Sequence, residues 1–254
     1  MSRPDCAPSS RATRSRRSST AWPSAGSRGC ISARRRARDN LLAERVGDSA
    51  AQLTGNTVID ALQFTTAKLQ TRAVRAFDHD IVLTAHRREN FGAPLTENLP
   101  RAARAMPPLP AAESALPVHP NPKVRAAAHR ILGGQPQITL VEPLDYPELV
   151  AAMRVAKLIL TDSGGIQEEA PALGRPVLVL RGVTERPEAV EIGAAKLVGS
   201  SRSAIVGEAS RLLLDPEHYA RMAPGYSPYG DGRAARRIRD SVCRYLRAEM
   251  AVAR

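Results

Sequence analysis

Cysteine is scarce in this 254-residue chain, and the three present, Cys6, Cys30 and Cys243, lie far apart. Such a set supports neither a disulfide framework nor a structural metal cluster, and it fits a reducing cytoplasm. Although 43% of the residues are hydrophobic, no apolar run approaches the ~20 residues that a spanning helix needs, which argues against an integral membrane protein. The first 38 residues lack still more. They hold no Leu, Val, Phe or Lys, one Ile (Ile31), one acid (Asp5) and one aromatic (Trp22), whereas Arg, Ser, Ala and Pro account for 28 of the 38. A segment of this composition cannot bury a core and is expected to be disordered. Without an apolar h-region it is no secretory signal, and without large apolar side chains it forms no amphipathic leader helix. With Trp22 alone it has no stacking platform for single-stranded nucleic acid. The composition favours an out-of-frame or wrongly started reading of a GC-rich gene.

What charge there is sits in the same place. The formal net charge is +12 with a pI near 10.5, a balance that invites a nucleic-acid partner. Residues 1–38 carry +9 of it and residues 39–254 only +3. The nearly neutral body argues against nucleic acid. The length corresponds to one or two domains.

Beyond residue 38 the pattern becomes that of a folded protein. Helices are predicted over 39–46 and 57–69, then a strand at 80–84 and a helix at 95–105. Strands at 115–118, 138–141, 157–161, 176–180 and 195–198 follow. The helices among and after them span 124–132, 146–156, 166–173, 203–214 and 232–250. Strands alternating with helices of this length define an α/β doubly wound parallel sheet, covering about residues 80–200. In such sheets ligands bind beyond the carboxyl ends of the strands.

Four polar segments occupy those ends. Asp162-Ser163-Gly164-Gly165 enters a helix that carries Glu169. Its glycines allow backbone N–H groups to approach an anion, Ser163 can cap the helix or donate to phosphate, and Glu169 can accept from two ribose hydroxyls. His86-Arg87-Arg88-Glu89 offers an acid or base near neutral pH beside forked donors for a diphosphate. His119-Pro120-Asn121-Pro122 holds an imidazole and an amide on a rigid turn. Thr184-Glu185-Arg186-Pro187-Glu188-Ala189 presents one guanidinium between acids. Singly, each also has a structural explanation: a capped turn, a solvated turn, proline turn chemistry, an ion network. Jointly they point to one anionic, nucleotide-sized ligand.

Together with Leu53-Thr54-Gly55-Asn56-Thr57-Val58-Ile59-Asp60 and Tyr229-Gly230-Asp231-Gly232, these segments resemble the non-hydrolysing UDP-N-acetylglucosamine 2-epimerases, in order and at family spacing, from about Arg38 to the last helix. The resemblance implies a GT-B-like architecture of two Rossmann-like domains, and inversion at C2 that interconverts UDP-GlcNAc and UDP-ManNAc. The implied route is elimination of UDP to a 2-acetamidoglucal and re-addition to the other face. By position, His86 is the implied catalytic-site histidine, and Ser163, Gly164 and Gly165 form the phosphate cradle. Glu169 is the ribose ligand, Arg186 a further nucleotide contact, and Leu144 and Leu149 flank the uracil. Arg87 and His119 fall where relatives bind a second, regulatory UDP-GlcNAc. No metal or cofactor is implied. A homodimer, a cytoplasmic location and a role in polysaccharide biosynthesis are.

The resemblance is incomplete at its start. The family's first domain supplies a phosphate-binding Arg and Lys, and an Asp and Glu residues used for proton transfer, and residues 1–38 match none of these motifs. The expected organisation is therefore a foldless segment (1–38), a remnant of the first Rossmann-like domain (39–72), a complete UDP-binding Rossmann-like domain (73–230) and a C-terminal helix (231–254). An N-terminally truncated epimerase is the reading that follows. Its alternative is a catalytically inactive UDP-binding fragment.

Overall fold

The computed structural model describes residues 19–21, 30–32, 34–71, 76–84, 113–118, 122–135 and 137–252. The predicted helix at 95–105 lies outside them.

Six strands form a parallel sheet: β4 (Ile81–Thr84), β5 (Ser114–Pro117), β6 (Ile138–Val141), β7 (Leu158–Thr161), β8 (Val177–Val179) and β9 (Ala195–Leu197), in the order β6-β5-β4-β7-β8-β9. Counted from β4 this is 3-2-1-4-5-6, the order of a dinucleotide-type doubly wound sheet, and its switch point falls between β4 and β7. Every residue of β4, β7 and β8 is buried, because helices cover both faces of the central strands. Side chains alternate between those faces. Ile81, Leu83, Leu158, Leu160 and Leu178 pack against Leu132 of α3 (Pro122–Leu132) and Ile205, Ala209 and Leu212 of α7 (Arg202–Leu214). Val82, Ile159, Val177 and Val179 point to the opposite face. There they meet Ile59 and Leu62 of α2 (Thr57–Lys68), Val150 and Met153 of α4 (Tyr146–Val155) and Ile166 and Ala170 of α5 (Gly164–Ala172).

Thus α2, which the resemblance allots to the end of the first domain, contributes to the core of this sheet. Its start is fixed twice. The Asn56 side chain accepts from the Val58 N–H, and the Asn56 N–H donates to the Tyr229 carbonyl at 2.7 Å. Gly55 (φ +86°) and Gly230 cross there so closely that a Cβ on Gly55 would stand 3.3 Å from the Gly230 Cα. The segments around Gly55 and Gly230, 175 positions apart in sequence, therefore meet as one junction.

Two short helices absent from the sequence expectation, α6 (Pro187–Glu191) and α8 (Pro216–Met222), each begin at a proline in the first turn. That position uses a residue without an N–H where none is needed. The last helix, α9 (Ala234–Val252), is capped from outside its own segment: Asp60 accepts from the Ala234 and Ala235 N–H groups at 3.1 and 2.9 Å. Asp60→Ala is expected to lower stability by about 1 kcal/mol. In a domain of this size that is a fall in Tm of about 2–4 °C, measurable by calorimetry.

The N-terminal segment differs from expectation. β1 (Ser19–Ala21) pairs antiparallel with β2 (Cys30–Ser32), which pairs in parallel with β3 (Ala51–Leu53). Helix α1 (Arg35–Ala43) starts before the predicted Asp39 and buries Leu41 against Ala51. Strand pairing is made by backbone groups and does not require apolar side chains. Low apolar content therefore precludes a core here without precluding a ladder. Among the described residues, no helix is long and apolar enough to cross a membrane.

Candidate functional site

At the switch point the carboxyl ends of four strands surround an open recess of about 360 Å³. Thr84 of β4 and Pro117 and Val118 at the end of β5 form one wall. Leu144, Tyr146 and Leu149 form another, and Ser163, Gly165, Ile166 and Glu169 at the head of α5 complete it. The floor is rigid. The buried Thr84 and Thr161 hydroxyls share a hydrogen bond of 2.7 Å between adjacent strand ends, and the Thr161 hydroxyl also accepts from the Ser163 N–H at 2.9 Å.

Ser163 is the N-cap residue of α5, yet its side chain makes no capping hydrogen bond. The capped-turn explanation of Ser-Gly-Gly therefore fails at its central contact, and the helix start keeps positive potential toward the recess. Gln167, one turn later, fixes the turn instead. Its Nε2 donates to the Ser163 carbonyl at 3.0 Å and its Oε1 accepts from the Thr184 hydroxyl at 2.6 Å. Thr184 in turn accepts from the Arg186 N–H at 3.0 Å. The 184–189 segment is thereby tied to the head of α5. The Arg186 guanidinium lies against Gly164, where an added Cβ would stand 3.9 Å from its Cζ. Arg186 does not line the recess itself but sits beyond Gly164, at the anion-favouring end.

The apolar wall is fixed by a capping box. Asp145 accepts from the Glu148 N–H at 2.8 Å and Glu148 accepts from the Asp145 N–H at 3.0 Å, so α4 begins at a defined point with Tyr146 as its first residue. The Tyr146 hydroxyl is buried with no hydrogen-bond partner of normal geometry, facing the Glu169 carboxyl. Burial, reinforced by Glu169, pushes the phenol up to about 12. Glu169 itself is held up at about 7, chiefly by burial and secondarily by the neighbouring Glu168 carboxylate, while Tyr146 works in the other direction. A carboxyl with this affinity for protons changes charge near neutrality.

Of the residues expected from sequence, Leu144, Leu149, Ser163, Gly165 and Glu169 converge on one recess, with Gly164 and Arg186 beside it. His86, Arg87 and His119 lie outside the described residues. Tyr146 and Glu168 were not expected. Tyr146 stands between the two flanking leucines directly after a capping Asp, a signal visible in the sequence. Glu168 is buried next to Glu169 but turned to another face of α5, where Arg186 and Asn56 meet it.

A parallel sheet in this strand order, with a glycine-rich helix start facing an apolar recess at the switch point, defines a Rossmann-like α/β domain. The sequence profile described as UDP-N-acetylglucosamine 2-epimerase matches residues 25–242, and the chain belongs to that family. A probable UDP-N-acetylglucosamine 2-epimerase from Ralstonia nicotianae is 47% identical over 226 residues, covering 83% of this chain and 60% of the relative. The S. aureus MnaA–UDP co-structure is 39% identical with a TM-score of 0.78, covering 85% of this chain and 60% of that one. The Neisseria meningitidis UDP-GlcNAc 2-epimerase bound to UDP-GlcNAc is 38% identical with a TM-score of 0.75, covering 84% and 61%. These neighbours are GT-B-like, which places the fold in that α/β class. The chain spans about 60% of the length of the curated relatives it matches.

Proposed function

We propose that the chain acts as a UDP-N-acetylglucosamine 2-epimerase, inverting C2 between UDP-GlcNAc and UDP-ManNAc by elimination and re-addition of UDP. The observation that carries this reading is an uncapped Ser163-Gly164-Gly165 helix start that meets Glu169 at one switch-point recess, with the Arg186 guanidinium beside it against Gly164. In the proposed complex, the backbone N–H groups at the head of α5 and the Arg186 guanidinium hold the diphosphate. Glu169 accepts from the ribose hydroxyls, and Leu144 and Leu149 enclose the uracil.

Charge develops on the diphosphate as the C1–O bond breaks, so donors already aimed at it lower the barrier to elimination. Proton removal at C2 and its return need two further groups. His86 is proposed as the catalytic-site histidine near the diphosphate, and the family's carboxylates for proton transfer belong to its first domain. Arg87 and His119 are proposed for a second, regulatory UDP-GlcNAc. A homodimer working in the cytoplasm, and product delivered to polysaccharide synthesis, complete the proposal.

The test is incubation of the purified chain with UDP-GlcNAc in deuterated water, followed by NMR at C2. Exchange of the C2 hydrogen, with UDP-ManNAc appearing, is the expected result. UDP binding by calorimetry without exchange would reduce the function to nucleotide binding, and absence of both would overturn the reading. Arg186→Ala is expected to weaken UDP binding by at least about tenfold, as loss of a charge-assisted contact does.

A further inference from the structure

Glu168 is an unusual residue to find beside a proposed anion site: a carboxylate, 3% exposed, one position before the carboxyl that lines the recess. Its two oxygens have separate partners. Oε1 forms an ion pair with Arg186 Nε, and Oε2 accepts from Asn56 Nδ2. Asn56 is itself held, since its Oδ1 accepts from the Val58 N–H at 3.2 Å and caps α2. Arg186 is fixed on its other side, where Nη1 donates to its neighbour's carbonyl, Glu185 O, at 3.1 Å. The guanidinium is left lying flat against Gly164, the first residue of α5. A freely rotating arginine would have to be ordered each time an anion arrived, losing side-chain entropy at that moment.

We infer that Glu168 is a positioning residue: braced by Asn56 at the start of α2, it holds the Arg186 guanidinium over the head of α5 so that the diphosphate of the ligand meets a preset donor. The inference rests on the UDP reading and adds to it a residue that touches no ligand. It also links α2 to the anion site, so the geometry of the Gly55–Gly230 junction bears on phosphate affinity.

Two effects of opposite sign compete at Glu168, and they make the inference testable. As a bare negative charge near a diphosphate, Glu168 repels the ligand, and its removal should tighten UDP binding. As a brace for Arg186, its removal should weaken UDP binding and leave uridine, which has no phosphate, unaffected. The experiment measures UDP and uridine binding to the full chain by calorimetry for the parent, Glu168→Gln, Glu168→Asp, Arg186→Ala and the Glu168→Gln/Arg186→Ala pair. Expected for Glu168→Gln is about a tenfold loss of UDP affinity with uridine affinity within twofold of the parent. No further loss is expected when it is added to Arg186→Ala, because the two residues act as one unit. Glu168→Asp keeps the charge but withdraws it by one methylene, and the same direction of change is expected.

Retained uridine binding shows that each variant is folded. If Glu168→Gln does not fold, Glu168→Asp carries the comparison. UDP binding equal to or tighter than the parent's overturns the inference, as does an equal loss for UDP and uridine, which marks a purely structural role. Those results leave the nucleotide reading standing. A parent that binds uridine but not UDP, or neither, overturns both.

Discussion

Tyr229→Ala is expected to destabilise the protein by about 4 kcal/mol, with Tm lowered by about 10 °C, because it removes the largest fully buried side chain among the described residues and two hydrogen bonds together. The ring is packed in the cluster that joins α2, α4 and α5 to the sheet. Its hydroxyl accepts from the Ala189 N–H at 3.1 Å and donates to the Arg186 carbonyl at 3.2 Å. Ala189 is the third residue of α6, whose N-cap, Arg186, makes no side-chain capping bond. The tyrosine hydroxyl therefore satisfies a helix-start donor that its own segment leaves open. Burial holds the phenol well above its ordinary range, so it remains a neutral donor and acceptor through all working pH values. Tyr229→Phe isolates the polar part of the effect: the ring stays and the two backbone groups lose their partner, at an expected cost of about 1–2 kcal/mol. Denaturant unfolding measures both. A Tyr229→Ala midpoint within 1 kcal/mol of the parent, on the scale of an ordinary surface change, would show that the Gly55–Gly230 junction holds without its aromatic centre. Since Arg186 is anchored through the same hydroxyl, Tyr229→Phe should also weaken UDP more than uridine.

The sheet was legible because its central strands are buried on both faces. Ile81 to Thr84, Leu158 to Thr161 and Val177 to Val179 are continuous apolar or β-branched runs set between helical periods, and a run of that kind has few other uses. Edges were harder. α6 and α8 are too short for a helical period to emerge, and β1 and β2 are held by backbone pairing that composition does not encode. In the candidate site, Ser163, Gly165 and Glu169 face the recess with Gly164 and Arg186 beside it, and all five sit in segments whose chemistry is recognisable in sequence order. Glu168 was not, since it acts through Arg186 and Asn56, residues 18 and 112 positions away in sequence. Pairings at such separations are set by the fold, and nothing in local spacing announces them. Tyr146 is intermediate: the capping box that aims it is local, but its nearness to Glu169 is not.

Glu169 carries the prediction with the widest range in solution. Its carboxyl titrates at about 7 in the folded chain against an ordinary value near 4.5. A ribose diol donates two hydrogen bonds, which only the ionised carboxylate accepts fully. Uridine affinity is therefore expected to rise about tenfold per pH unit up to neutrality and to level off above it, a change of roughly 100-fold between pH 5 and 8. Uridine is the proper ligand because the terminal phosphate of UDP has its own proton equilibrium near pH 6. Stability moves the opposite way. A raised folded pKa means the folded chain binds a proton more tightly than the unfolded one does. The stabilisation is fully present below about 4.5 and is lost as pH rises through 7, by up to roughly 3 kcal/mol. Glu169→Gln should accordingly make the ligand-free protein more stable than the parent above pH 7, with no advantage below 4.5, and should flatten the pH profile of uridine binding at a reduced affinity. Thermal melts and calorimetry at pH 5 and 8 test both limbs. A uridine profile that stays flat in the parent would remove Glu169 from the ribose site.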